Sequence, residues 1–520
     1  MRRPRRPHKR THPRAGAQLL LAATQLLLAA TQLLLAATPL LLAAIPLLLA
    51  AAPLVCAPAA GDGSSAEASI SEPGASPLTL RAAVRRALER NHALAAARHA
   101  EEAAVWSRRQ ARAQLLPTIT LESSYTRLDD ETVARANFFG REMTIYLPDS
   151  TGTPRPHTIA IPQSVFRDGY QTSIQARLLL LHPALWNGVS IAGAARDLAA
   201  VQLESALQET AHETICAFVE LLRLRSLAAL QERFLDQSRE NVALAERLFA
   251  LGRYAEADVL RWRVEEARQS GLLQQQARAA KLAAMALENL LAATPAGLVD
   301  ADTTLPGRLA AEIAGLRGMD DAQWSELLSR PLDRLVAAQP QLAALDGTAR
   351  MAELQHRQSA TAMLPSLALV GSYGWQNNDT PALDGEKAWA LTASLSLPLF
   401  SSFAHYSGWQ ATRHRALETR ATVDAGRRGV LLAAEAARTA LRSAAEQLRL
   451  SEAGLGSARR NHEIQRGSYT LGRLSNLEWV DAHLLLQAAE QARASAYYDL
   501  VLAVADYHQA LGGIFTLLEE

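Results

Sequence analysis

Four short segments of the chain alternate between polar and apolar residues, and long stretches of helical composition separate them. In residues 118–126, Ile119, Leu121 and Tyr125 share one face, while Thr, Glu and Ser residues share the other. A period of two is typical of a β-strand with one apolar and one polar face. On this basis we predict four strands, at 118–126, 171–181, 366–375 and 388–398.

Ala, Leu, Arg and Glu dominate between the strands, whereas Gly and Pro are rare there, which favours α-helices. One predicted helix covers about 60 residues, which corresponds to about 90 Å at ~1.5 Å per residue. A helix of this length needs coiled-coil neighbours to bury its apolar stripe. Residues 127–170 are rich in Pro, Gly, Asp and Thr and predict a long loop or hairpin tip. The predicted helices are 78–114, 188–250, 255–292, 332–362, 404–470 and 475–511.

The plan of the chain occurs twice. LLPTITLESSY at 115–125 returns as MLPSLALVGSY at 363–373, and FALGR at 249–253 returns as YTLGR at 469–473. The repeated unit is helix, two strands, long helix, turn and helix, which is too long for a solenoid repeat. We therefore expect a first repeat at 78–293, a connector (the equatorial region) at 294–331 and a second repeat at 332–513.

Residues 1–57 are expected to form a targeting segment. Seven basic residues and no acidic ones precede an apolar run with a near-perfect heptad, QLLLAAT, and small residues follow it. This order is typical of a secretory signal. The run is long enough for a membrane anchor, but Pro39, Pro46 and Pro53 interrupt its second half. We favour export with cleavage near 57–61, and lipidation of Cys56 is the alternative.

Composition argues against several functional classes. Beyond the seven N-terminal basic residues, 46 Lys and Arg face 52 Asp and Glu, and nucleic acid binding needs a basic face. Two cysteines, Cys56 and Cys216, provide neither a disulfide framework nor a clustered metal site. Nucleophile-elbow, phosphate-loop and zinc-protease motifs are missing from the sequence. We therefore expect neither an enzyme nor a cofactor.

Four half-apolar strands cannot form a stable open sheet, because their edges and apolar face would both be exposed. Strands of this length match those that span an outer membrane, provided that the sheet closes. Three chains would supply twelve strands. Of the 27 aromatic residues, 14 lie in 125–186 and 373–409, and aromatics crowd the two interfaces of membrane barrels. The alternative is a secreted or periplasmic coiled-coil scaffold with a soluble β-domain.

These residues resemble the TolC-type outer-membrane factor family over about 78–513. The resemblance rests on the two Pro-led strands, SLSLPLF, and the tip sequences FALGRYAEADVLRWR and YTLGRLSNLEWVDA. It implies a homotrimer in the cell outer membrane, with a twelve-stranded barrel that continues as a periplasmic tunnel of helices. It also implies a passive exit duct for a tripartite efflux pump or type I secretion system. The implied partners are a periplasmic adaptor and an inner-membrane transporter.

The resemblance also implies roles for individual residues. Glu478 and Asp481 match acids that ring the periplasmic aperture, where three copies would favour cations. Asp258 and Tyr469 match residues of the closed-state latch. Leu474 stands where the family has an arginine, so the adjacent Arg473 is the third candidate for the latch. The residues expected at the adaptor-docking tips are Leu251, Gly252, Arg253, Leu471, Gly472 and Arg473.

Overall fold

The structure is a computed structural model that describes residues 77–136, 142–148, 150, 152–160, 165–297, 299–378, 380–470 and 475–519. The targeting segment expected at 1–57 lies outside the described residues. The described chain forms two compact units. The strand unit contains 112–186 and 363–399, and the helical unit contains 77–111, 187–362 and 400–519. Within these ranges, no helix has the length and apolar character that crossing a membrane requires.

Four strands of the strand unit form one antiparallel sheet with the order β1-β4-β5-β6. The segment between β1 and β4, predicted as a loop or hairpin tip, contains the short helix α3 (Asp130–Ala136) and the hairpin β2-β3. The four sheet strands match the predicted segments, with ends that differ by up to three residues. The strands are β1 (Thr118–Arg127), β2 (Glu142–Pro148), β3 (Pro154–Ala160), β4 (Asp168–Leu181), β5 (Ser366–Asn377) and β6 (Glu386–Ser396).

The strand register places apolar side chains in rows across one face of the sheet. Leu121 pairs with Ile174, which pairs in turn with Tyr373 of β5, and Tyr373 pairs with Trp389. The next row on this face contains Ile119, Ala176, Gly371 and Leu391. The opposite face carries Thr, Ser, Gln and Glu side chains, as in the row Thr120, Gln175 and Ser372. One face is therefore apolar along all four strands, and the other is rich in hydroxyl and amide groups.

Long helices dominate the helical unit, as the composition predicted. The longest pair contains 68 and 67 residues. Each is followed by a shorter helix of 35 or 36 residues. The helices are α1 (Leu80–Arg90), α2 (His92–Ala113), α4 (Pro183–Ala250), α5 (Glu256–Leu290), α6 (Gly307–Arg317), α7 (Asp321–Ser329), α8 (Leu332–Leu335), α9 (Pro340–Thr361), α10 (Ala404–Thr470) and α11 (Asn476–Leu511).

The single helix predicted for 78–114 is wrong, because Asn91 divides it into α1 and α2. Asn91 has an extended backbone, and its side-chain oxygen accepts hydrogen bonds from the amides of Ala93 and Leu94. Its side-chain amide donates to the Leu290 carbonyl at 3.1 Å. Asn91 is thus an N-cap whose capping bonds start a new helix.

The predicted helix 332–362 is also divided. Its first part forms α8 and a 3₁₀ turn, Val336–Ala338, and Pro340 then occupies the first position of α9. Proline tolerates that position because the first amides of a helix have no intrahelical acceptor. The connector expected at 294–331 contains two short helices, α6 and α7.

The main core of the helical unit lies where α1, α6 and the C-terminal residues pack on the middle of the long helices. Leu80, Phe218, Leu287, Leu448 and Leu500 are almost completely buried there. Glu288, also buried, accepts hydrogen bonds from the amides of Ala296 and Gly297 at 2.6 and 2.7 Å. This carboxylate fixes the turn after α5. A second, smaller core lies near the C-terminal end of α4 and the N-terminal ends of α5 and α11.

Candidate functional site

The helices α4 and α5 meet at a tight turn, Leu251–Arg253, which is the first of two helical tips. The amide of Gly252 donates to the Phe249 carbonyl at 2.8 Å, and the amide of Arg253 donates to Leu248 at 2.9 Å. Gly252 has φ +70° with open space around its Cα, so backbone conformation, not crowding, requires glycine here. The Leu251 side chain is 70% exposed at this turn.

The second tip joins α10 to α11. Residues 471–474 lie outside the described residues. The docking roles expected for Leu471, Gly472 and Arg473 therefore stay predictions. After them, Ser475 caps α11, because its hydroxyl accepts from the Glu478 amide at 3.3 Å. Glu478 in turn accepts from the hydroxyl and the amide of Ser475 at 2.7 and 3.0 Å. This is a reciprocal capping box.

Both predicted aperture acids lie on the exposed side of α11, near its start. Glu478 and Asp481 are three residues apart and exposed, whereas Trp479 and Val480 between them are buried. Hydrogen bonds from the Ser475 hydroxyl and amide lower the pKa of Glu478, so this carboxylate is ionised at neutral pH. In the described part of the chain, Asp481 forms no hydrogen bond or ion pair. Two acidic groups thus face away from the packed side of the helix.

Of the three predicted latch residues, Arg473 lies outside the described residues, and the other two form hydrogen bonds within the same chain. The Asn476 side-chain amide donates to Asp258 at 3.0 Å, and its oxygen accepts from the Trp262 indole at 2.9 Å. The hydroxyl of Tyr469 hydrogen-bonds that of Tyr254. Burial raises the pKa of Tyr469 to about 12, so its hydroxyl keeps its proton. These bonds tie α5 to α11 and the end of α10 to the first tip.

Aromatic rings and histidines fill the space behind the latch. Tyr469 stacks on Trp479 with ring centroids 5.2 Å apart, and His462 lies 4.8 Å from the same indole. His483, which is 1% exposed, lies 5.9 Å from the Trp262 ring. Buried nitrogens of His462, His483 and Trp479 have no hydrogen-bond partner in the described chain. Each buried polar atom without a partner costs roughly 1–3 kcal/mol of stability. These three atoms therefore make the packed tip less stable than a fully hydrogen-bonded one.

A row of hydrogen-bonded, buried side chains, here called the polar seam, extends from His483 away from the tip. Gln487 donates to the Nε2 atom of His483, and its oxygen accepts from Gln269 at 2.8 Å. Gln269 also bonds Gln231 and donates to Glu265 at 2.5 Å. Buried polar groups with matched partners fix the register of neighbouring helices. The seam therefore sets how α5 and α11 lie against each other.

The sequence alone did not indicate a role at the tip for Tyr254, Asn476, Trp262 or His483. A helical spacing relates one of them to an identified residue, since Asp258 and Trp262 are four residues apart along α5. Asn476, Trp479 and His483 similarly recur on the buried side of α11. The spacing predicts a shared face, but it does not predict which helix that face contacts.

The sequence matches the model of one protein family, described as outer membrane efflux protein, over residues 83–294 and 332–513. The two matched stretches cover more than half of the chain. The chain belongs to the outer membrane efflux protein family. No curated protein sequence matches the chain significantly.

Solved channel structures share the fold of this efflux protein. The outer membrane protein VceC from Vibrio cholerae superposes with a TM-score of 0.66 at 18% identity, over 84% of this chain and 96% of that one. The CmeC outer membrane channel of Campylobacter jejuni gives 0.65 at 15% identity, over 87% and 92%. The MtrE outer membrane channel of Neisseria gonorrhoeae, in its open state, gives 0.66 at 17% identity, over 84% and 89%.

Family membership confirms the resemblance seen in the sequence, the predicted fold class and the outer-membrane location. It also favours the channel over the alternative of a soluble scaffold. The family consists of passive channels, in line with the expected absence of enzyme activity. The roles of the individual tip residues stay predictions.

Proposed function

We propose that this efflux-family protein is the outer-membrane exit duct of a tripartite efflux pump or type I secretion system. It would work with a periplasmic adaptor and an inner-membrane transporter. The observation that carries the proposal is the duplicated family match together with the sheet's continuous apolar face. Such a face is suited to hydrocarbon, and the polar face behind it is suited to a water-filled pore.

The free edges of the sheet support assembly as a homotrimer. β1 and β6 each pair with one neighbour in the described chain, so each leaves a row of backbone groups without a strand partner. Backbone N–H and C=O groups without hydrogen-bond partners cost too much free energy in the hydrocarbon region of a membrane. Four strands are fewer than the eight of the smallest barrels, whereas three chains joined edge to edge supply about twelve. The open edges are therefore the joints between protomers.

We further propose that Glu478 and Asp481 form a ring at the periplasmic aperture. In a trimer, each acid occurs three times around the axis, and the ring attracts cations and excludes anions. Mutual repulsion among the carboxylates opposes closure, while the Asp258–Asn476 and Tyr254–Tyr469 bonds favour it. The balance between these two effects sets the opening of the aperture.

The exposed tips are the proposed docking surface for the adaptor. Leu251 and Phe249 present apolar surface at the first tip, and apolar residues at a convex turn are suited to a complementary groove. The second tip, Leu471–Arg473, has the same aromatic-x-Leu-Gly-Arg sequence and is expected to dock in the same way.

Planar-bilayer recording tests the duct and its ring together. The Glu478→Gln and Asp481→Asn double variant removes both charges but keeps the side-chain size, and Gln retains the capping box. We expect an altered single-channel conductance and a weaker preference for cations. Glu256→Gln removes an exposed acid from the first turn of α5 and serves as the control. Wild-type selectivity in the double variant would exclude the ring, and a wild-type protein without channels would exclude the duct.

A deletion strain distinguishes the two proposed transport systems. Loss of a pump duct increases sensitivity to toxic small molecules, whereas loss of a secretion duct leaves a protein substrate inside the cell. Complementation with the wild-type gene should restore the affected trait. A deletion with neither effect would contradict both versions of the proposal.

A further inference from the structure

Outside the tip, one cluster of metal-ligating side chains in the described chain lies between α4 and α11. His212 and Cys216 are four residues apart on α4 and therefore share a face. The Nε2 atom of His212 lies 2.8 Å from Asp506 Oδ1 and 3.4 Å from Cys216 Sγ. All three ligand atoms lie within 4.8 Å of one another. A carboxylate and a thiol thus approach the same ring nitrogen.

Two of the three distances between ligand atoms are close to those of a metal-bound site, and the third, from sulfur to carboxylate oxygen, is at most 4.8 Å. Tetrahedral zinc with bonds of about 2.3 Å to sulfur and 2.0–2.2 Å to nitrogen and oxygen has ligand–ligand distances of about 3.3–3.6 Å. The observed nitrogen–sulfur distance is already in that range, and the nitrogen–oxygen distance is shorter by about 0.5 Å. Asp506 is 54% exposed, so its carboxylate has room to withdraw by that amount.

The ligand types restrict which ion fits. A thiolate and an imidazole favour borderline or soft transition-metal ions over Mg²⁺ and Ca²⁺, which prefer oxygen ligands. Three protein ligands leave a fourth position of a tetrahedron open to water. Glu209, an exposed acid three residues before His212 on α4, adds negative charge nearby.

We propose that His212, Cys216 and Asp506 form a Zn²⁺-class metal site that joins α4 to α11. The sequence alone indicates no clustered metal site, because the third ligand, Asp506, is almost 300 residues away and only the fold brings it close. With an ion bound, the two helices are cross-linked beside the main core of the helical unit. The site is independent of the proposed transport function.

Co²⁺ is a suitable probe, since a cobalt–thiolate bond produces a charge-transfer absorption in the near ultraviolet. The full-length protein is purified in detergent, treated with a chelator, dialysed and titrated with Co²⁺ alone. We expect the absorption to saturate at one ion per chain and to disappear on addition of Zn²⁺. Mass spectrometry of the Cys216 peptide should show slower alkylation of this thiol when Zn²⁺ is present.

Four variants separate the site from non-specific thiol binding. Cys216→Ser should abolish the absorption, and His212→Gln and Asp506→Ala should each weaken Co²⁺ binding by at least about tenfold. His508→Gln is the matched control, since His508 pairs with Glu312 at 2.9 Å without a nearby thiol, and it should bind as the wild type does. Because Asp506 is exposed, Asp506→Ala should retain the fold, which circular dichroism verifies.

Two results would overturn the proposal. One is a folded wild-type protein that shows no charge-transfer absorption at saturating Co²⁺. The other is wild-type affinity in both His212→Gln and Asp506→Ala, which would show that the thiol binds the ion without the other two groups.

Discussion

The packed tip depends on one histidine, His483, that must remain neutral. Burial is the main cause that lowers the pKa of His483 to about 4, and the nearby His462 lowers it further, while Glu265 acts in the opposite direction. Burial and Arg466 also lower the pKa of His462. Gln487 donates to His483 Nε2, a bond that requires this nitrogen to be unprotonated. The packed tip therefore binds fewer protons than an opened one.

Acid should open the tip for this reason. A histidine has an ordinary pKa of 6.5, and His483 has a pKa of about 4 in the packed tip. Neutral His483 therefore stabilises the packed tip relative to the opened tip above pH 6.5. This contribution is lost as the pH falls towards 4. The loss is about 3 kcal/mol for each chain. Hydrogen exchange of the α11 N-terminal peptides, measured at several pH values, reports the free energy of opening.

The variant His483→Gln tests the origin of the pH effect. Glutamine retains a polar side chain but cannot titrate, so the pH dependence of exchange at the tip should become much weaker. His99→Gln, at an exposed histidine of α2, should leave it unchanged. Equal pH dependence in wild-type and His483→Gln proteins would show that another group controls opening.

Sequence alone predicted single tip residues better than their partners. Asp258 and Tyr469 were identified by resemblance, but Asn476 and Tyr254, which bond them, were not. A partner is determined by which faces of two distant helices meet, and that depends on the packing of the whole unit. The same limit applies to His212 and Asp506.

The four sheet strands show why alternation of polar and apolar residues is a good predictor. Successive side chains of a strand point to opposite faces of the sheet. A one-residue shift in strand register would therefore exchange the apolar and the polar face. Leu395, 69% exposed, pairs with Leu367 on the apolar face, while the adjacent Ser394 pairs with Ala368 on the other. Helix breaks were harder to predict, because Asn91 starts a new helix through side-chain bonds that periodicity does not show.

Neighbouring substitutions on β6 test the direction of the two faces. Leu391→Lys places a charge at the middle of β6, on the face proposed to contact lipid, and should cost about 2–4 kcal/mol near the midplane, with loss of membrane-assembled protein. Thr392→Lys places the same charge on the proposed pore side and should assemble normally with altered ion selectivity. Heat-modifiable migration of membrane extracts measures assembly. Equal yields of the two variants would contradict the proposed orientation.

Duplication explains how one chain supplies two strand pairs and two helical tips. Each repeat has an apolar sheet face and long helical stripes that it cannot bury alone. The sheet order joins the repeats through β4 and β5 and leaves β1 and β6 as the open edges. The molecule therefore requires identical neighbours to complete it.

The most direct test is the mass of the protein extracted from outer membranes, measured by light scattering after size-exclusion chromatography and corrected for bound detergent. We predict a complex of three 56.2 kDa chains, less any targeting segment removed on export, that remains intact only in detergent or lipid. A water-soluble monomer, recovered without detergent, would contradict this prediction.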